Sequence, residues 1–167
     1  VSVPAMLNMF DQLGTPKEIY DTPENLFVAT FMGSPAMNIL PASVVVKDGL
    51  PHAEITTSEG QSALLPFNQE NMSDWAGKDI LLGIRPEAIT DPDGVDRKSK
   101  TVVPISNRVG VTEPAGADTF VTMELAGKDC ISRMRADADV TTGEIFDFVI
   151  NMDKAVAFDP QSEIRIK

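Results

Sequence analysis

TFVTMEL, residues 119–125, is the stretch that decides the fold class. Phe120, Thr122 and Glu124 alternate with Val121, Met123 and Leu125. A period of two sends successive side chains to opposite faces, which is the pattern of a β-strand and not of a helix. The same reading extends downstream, with strands predicted over 129–134, 145–151, 155–158 and 163–166, and upstream over 101–105 and 108–113. So many short strands in residues 101–167 suit a small barrel of the OB type.

Further upstream, DPDGVDRKSK (91–100) has Val95 as its only large apolar residue and reads as a surface loop or linker. Before it, apolar runs around Leu40 and 44–46, over 52–57 and over 63–67 are separated by the turns Lys47-Asp48-Gly49 and Ser58-Glu59-Gly60, a meander of hairpins. Residues 68–77 are polar, with one helical turn expected around Met72 and Trp75. Residues 79–85 form the most apolar strand of this half, and they stop on Arg85-Pro86-Glu87. Pro86 fixes its own φ near −65° and removes a ladder donor. It also biases Arg85 toward extended geometry. The strand must leave its sheet at a defined angle, and two roles stay open for the hinge. It is a strand terminator with a local ion pair, Arg85 forking onto a carboxylate, or Arg85 and Glu87 contact a partner domain. The turn Gly116-Ala117-Asp118-Thr119 faces the same choice, since Gly and Asp in turn positions suffice for a hairpin.

Residues 1–35 read as helical after an irregular start. Thr15-Pro16-Lys17-Glu18 is a capping box with proline in the first turn, opening a short helix through Tyr20. Thr22-Pro23 repeats the grammar. Leu26, Phe27, Thr30 and Phe31 follow at helical spacing, and Gly33 and Ser34-Pro35 stop the helix. Phe27 and Phe31 share a face one turn apart, which reads as a docked amphipathic helix, and where the natural cover of that face is absent Phe27, Phe31 and Met32 are expected to expose apolar surface.

The chain has 167 residues and a net charge of −11. Acids exceed bases on both sides of the loop, 14 to 7 in residues 1–100 and 11 to 7 in 101–167. Such a surface repels phosphate backbones, so nucleic acid is a poor partner. Phe120, Phe146, Phe148 and Phe158 are expected in the core and not on a base-stacking platform. The single cysteine, Cys130, allows no internal disulfide and reads as a small core residue. No apolar run approaches the roughly 20 residues of a spanning helix, and residues 1–10 show no basic leader.

Catalytic patterns are missing. Gly77-Lys78-Asp79 and Gly127-Lys128-Asp129 resemble the end of a phosphate-binding loop, but Asp stands where the metal-binding hydroxyl belongs. Met72 and Thr122 replace the upstream glycine. His52 is the only histidine and is placed in a proline-rich turn, with no cysteine pair to complete a zinc site. Asp91/Asp93 and Asp137/Asp139 read as solvated loop carboxylates, since no calcium loop surrounds them. No catalytic, cofactor-binding or metal-binding residue is assigned.

Four stretches carry a family resemblance. QLGTPKEIYDTPENLFVATFMGSPAMNILPA (12–42) resembles a segment of sugar-importer ABC ATPases. GIRPEAI (83–89), EPAGADTFVTMEL (113–125) and FDFVINMDKAVAFDP (146–160) resemble later signatures of that family, the maltose and glycerol-3-phosphate importers above all. The resemblance implies a mainly β fold, an antiparallel OB-like barrel of the TOBE or MOP type behind an N-terminal helical segment. It divides the chain into a helical tail of the ATPase domain (1–36), a first β-rich part (37–100) and the TOBE barrel (101–167).

It further implies a non-catalytic regulatory and dimerisation region, with ATP and magnesium belonging to the parent protein only. The implied partners are a second copy of the subunit, the chain's own ATPase domain, the membrane subunits and a regulatory protein, at the cytoplasmic face of the membrane. Residues 1–10 match less well, because the glycine turn before Gln12-Leu13-Gly14 is missing, and are expected to be altered. The candidate interface is Arg85, Pro86, Glu87, Gly116, Asp118, Thr119, Phe27 and Phe31. The alternative is a small-ligand module for an oxyanion or a sugar, with Ser106, Arg108 and Thr119 as donors.

Overall fold

The computed structural model describes residues 12–167, so the expectations for residues 1–10 fall outside the described part. Two short helices come first, α1 (Pro16–Asp21) and α2 (Leu26–Phe31). The capping box forms as read, with Thr15 Oγ1 accepting from Glu18 N and Glu18 Oε2 accepting from Thr15 N. The second helix corrects the reading. Asn25, not Thr22, is its N-cap and accepts from Val28 N at 2.9 Å. Thr22 instead ends α1. An amide side chain at Asn25 reaches the exposed donors of the first turn as well as Thr would, and the intervening Pro23 and Glu24 are held by the C-terminus of the chain.

The rest is antiparallel β-structure, as expected for an OB-like fold. One sheet orders its strands β11-β4-β1-β2-β3, from β1 (Asn38–Lys47), β2 (Leu50–Thr56), β3 (Ser62–Pro66), β4 (Asp79–Ile84) and β11 (Val156–Phe158). A second is β5-β10-β6, from β5 (Ile89–Thr90), β6 (Val102–Arg108) and β10 (Ile145–Asn151). A third is β7-β8-β9, from β7 (Val111–Ala115), β8 (Asp118–Leu125) and β9 (Lys128–Arg135). The predicted turn at Met72–Trp75 is a 3-10 helix.

Three sequence expectations shift. The run 108–113 is two strands, because Val109 and Gly110 break away: Gly110 N bonds Thr122 O and Val109 N bonds Glu144 O. Residues 163–166 are not a strand; only isolated bridges form there, Ile164 to Asn25 and Arg165 to Phe158. His52 lies in β2 opposite Val45 and Pro66, not in a turn.

Strands from both sides of residues 91–100 interleave. β5 pairs with β10 and β11 pairs with β4. One apolar cluster accordingly runs from Leu40, Leu65 and Leu82 to Val121, Met134 and Phe148. A smaller one joins Ala29 of α2 to Met37, Val156 and Phe158, and so docks the helices on the barrel. Cys130 is fully buried, as expected, and burial pushes its thiol up to about 12. Asp91 is not a solvated loop carboxylate. It is buried and takes the Arg135 guanidinium at 2.7 Å, whereas Asp93 stays exposed.

Candidate functional site

β4 runs into the hinge through Gly83, where a Cβ would lie 2.5 Å from Met37 Sδ and 2.9 Å from Val156 Cγ2. Only hydrogen fits between those packed side chains. Arg85 is extended, with φ −68° and ψ 149°, and Pro86 opens the 3-10 turn Pro86–Ala88. The chain thus leaves the sheet as its sequence requires, and it points Arg85 inward. Arg85 is only 6% exposed.

Its partners are carbonyls, not the carboxylate offered in the sequence reading. Nη1 donates to Ala29 O at 3.2 Å and to Met32 O, and Nη2 donates to Tyr20 O at 2.8 Å. Tyr20 lies in the last turn of α1, and Met32 is the C-cap of α2. The last carbonyls of a helix have no partner within the helix and carry the negative end of its dipole. One guanidinium therefore caps both helices. Its carbon also lies 3.8 Å from the centre of the Tyr20 ring. Burial lowers the Arg85 pKa from its ordinary value, opposed by Tyr20, Glu87 and Asp21.

The clamp explains two further residues. Gly33 has φ +100°, and a Cβ there would meet Tyr20 Cε2 at 3.0 Å and Arg85 Nη1 at 3.2 Å. A left-handed conformation and a close approach both ask for glycine. Tyr20 donates its hydroxyl to Glu87 Oε1 at 2.5 Å, so Glu87 secures α1 from outside. Burial first, then the Glu87 bond, push the Tyr20 phenol up to about 12. A second guanidinium repeats the device: Arg165 Nε donates to Pro23 O at 3.1 Å and Nη2 to Glu24 Oε1 at 3.2 Å. The backbone adds Leu26 N to Glu163 O and Arg165 N to Glu24 O. The helical segment is therefore fastened to the barrel at the C-terminal ends of both helices and at the link between them.

Beside the clamp is a cleft of about 260 Å³ that includes Tyr20, Asp21, Arg85, Glu87, Lys98 and Asp153. Asp153 is committed there to the amides of Lys100 and Thr101. Among the described residues no group of three or more His, Cys, Asp or Glu is placed to hold a metal ion, and no helix is long and apolar enough to cross a membrane.

The other candidate residues lie around this centre. β9 packs against the Pro86–Ala88 turn. Arg133 on β9 pairs with Asp118 of β8 at 2.8 Å, and the Asp118 hydrogen bond first, then the charges of Asp118 and Glu87, raise its pKa. Gly116 sits in the turn between β7 and β8, and Thr119 lies opposite Met134. Phe27 and Phe31 stack with centroids 5.7 Å apart. They are not the docked face of α2, which is Val28 and Ala29, and Phe31 is 66% exposed. Of the proposed oxyanion donors, Ser106 gives its hydroxyl to Asp147, and Arg108 binds Glu59 and the carbonyl of Gly143. Sequence reading missed Tyr20, Gly33 and Arg165 as parts of the clamp. The punctuation of the short helices was the only local signal for Tyr20 and Gly33, and Arg165 had none.

Known proteins are similar to this chain. Residues 33–89 match the family described as the MalK OB fold domain. The oligosaccharides import ATP-binding protein MsmX of Bacillus subtilis is 34% identical over 159 residues, covering 93% of this chain and 41% of that protein. The sn-glycerol-3-phosphate import ATP-binding protein UgpC of Ralstonia nicotianae is 34% identical over 94% of the chain and 41% of its own length. The trehalose/maltose import ATP-binding protein MalK of Thermococcus litoralis is 31% identical over 90% and 40%. The chain thus spans about two fifths of the length of these relatives. Among solved structures, the cytoplasmic molybdate-binding protein ModG superposes with a TM-score of 0.50 over 74% of this chain and 96% of that one, at 17% identity, a likeness of fold. The chain belongs, as the OB-fold region, to the family of sugar-importer ABC transporter ATP-binding subunits.

Proposed function

We propose that the chain is the non-catalytic regulatory and dimerisation region of an ABC importer ATP-binding subunit for sugars or related solutes. The observation that carries this reading is the clamp. Arg85 and Arg165 bind backbone carbonyls of the helical segment, so the segment and the barrel form one body. A helical tail welded in this way lets a parent ATPase domain carry the barrel with it. In this reading ATP and magnesium belong to the parent, and the barrel meets a second copy of itself. The assembly sits with its membrane subunits at the cytoplasmic face, where a regulatory protein has access to the barrel.

The test uses the purified chain. It is expected not to hydrolyse ATP with magnesium present and to be retained by a tagged second copy of itself. ATP turnover would overturn the non-catalytic part. Failure of the two copies to associate at any concentration would overturn the dimerisation part.

A further inference from the structure

The outer face of the β7-β8-β9 sheet carries a charge pattern that is complementary to itself. Directly paired residues of neighbouring antiparallel strands share a face. Glu113 pairs with Phe120, and Phe120 pairs with Arg133, so an acid, an aromatic ring and a base lie in one row across the three strands. The next row on the same face is Val111, Thr122 and Ile131. The opposite face holds Val121, Met123, Leu125 and Met134, all buried in the core. Phe120 was expected in that core and is not there. It is half-buried and belongs to neither apolar cluster, unlike Phe146, Phe148 and Phe158. Val111 on this face is 57% exposed.

We infer that this face is the surface on which a second copy of the chain docks, sheet against sheet, about a twofold axis parallel to β8. An isologous contact needs a patch that complements itself. Rotation about that axis keeps each row in place and exchanges β7 with β9. Glu113 then faces Arg133 of the second copy, and Arg133 faces its Glu113. Val111 faces Ile131, and Phe120 meets Phe120 at the centre. A twofold axis along the rows would instead set Glu113 against Glu113, so the charges select the first arrangement. Two acids of the central strand face their own copies, Asp118, with its charge already held by Arg133 at 2.8 Å, and Glu124, exposed near the end of β8 and away from the Glu113–Phe120–Arg133 row. The inference rests on the dimerisation reading and names its surface.

Charge-reversed variants mixed together provide the test, read by sedimentation velocity over a range of concentrations. Glu113→Arg alone and Arg133→Glu alone each set like charges against each other twice, and each is expected to weaken self-association about tenfold or more. Mixed in equal amounts, the two variants restore opposite charges at both contacts, and association is expected to return. That recovery also shows that each variant is folded. Phe120→Ala is expected to weaken association without rescue by either partner. If the unaltered chain dimerises but neither reversal weakens it, or the mixture does not recover, this face is not the interface and the dimerisation reading survives. A chain that stays monomeric throughout overturns both.

Discussion

Arg85 opens the Pro86–Ala88 turn, Arg133 lies on the strand β9 that packs against it, and the two arginines do opposite things. Arg85 is buried and binds three carbonyls and an aromatic ring. The Arg133 side chain is 48% exposed and holds one carboxylate. A buried guanidinium whose Nη donors meet helix ends fixes geometry, because any displacement would leave carbonyls unsatisfied in a dry site. An exposed guanidinium paired to a single carboxylate contributes about 0–1 kcal/mol to the fold, so it is free to serve recognition. The two residue types are identical. The difference is made by what the backbone brings to each.

The largest effect expected from that difference is at the clamp. Arg85→Ala removes the cap of both helices and the support under Tyr20, at a cost of about 3 kcal/mol. The loss should be local first. Hydrogen exchange is expected to speed up in residues 16–32 while amides of β1, β4 and β10 keep their protection. Arg133→Ala, by contrast, should leave exchange in both regions nearly unchanged. Equal losses in the two variants would remove the distinction between a welding and a recognising arginine.

Gly33→Ala tests the same clamp without touching its charge. The alanine must hold φ +100° and push Tyr20 and Arg85 away from contacts of 3.0 and 3.2 Å. A destabilisation of about 2 kcal/mol is expected in urea unfolding. Asp91→Asn is smaller, about 1.5 kcal/mol, since the pair with Arg135 keeps one exposed partner. Burial alone would raise the Asp91 pKa, but the Arg135 hydrogen bonds and charge outweigh it and hold it below its ordinary 3.8. A lowered carboxyl pKa stabilises the fold above the unfolded value and loses that stabilisation as the pH falls below about 3.8. The acid limb of the unfolding curve should therefore be shallower in Asp91→Asn.

The alternation of TFVTMEL shows in the sequence because a half-buried strand writes its burial every second residue. The capping box shows because its two bonds span only three residues. The clamp does not show. Arg85 meets Tyr20, Ala29 and Met32 through backbone carbonyls, which any residue supplies, across more than fifty positions of chain. Pro86 announces that the strand stops but not where the arginine goes. Residues 163–166 look like a strand, yet their amides and carbonyls are divided between Glu24, Leu26, Ala157 and Asp159. Phe120 was misplaced because an aromatic residue in an apolar strand reads as core whichever face it occupies.

Tyr20→Phe makes the smallest change and separates the two sides of the clamp most finely. Phenylalanine keeps the ring under Arg85 and loses only the hydrogen bond to Glu87, so near neutral pH the cost is about 0.5–1 kcal/mol. At high pH the order should change. The folded protein holds the Tyr20 proton up to about 12, above its ordinary value of 10.0, through burial and the Glu87 bond. A raised pKa stabilises the fold fully below the unfolded value and loses that stabilisation as the pH climbs from 10 toward 12. The lysines titrate in both proteins, so the difference between them isolates Tyr20. Urea unfolding at pH 7 and pH 11 is expected to show the native chain ahead at pH 7 and its advantage reduced or reversed at pH 11. An advantage that persists unchanged would mean that the phenol ionises without disturbing the clamp, and that Arg85 alone fastens α1.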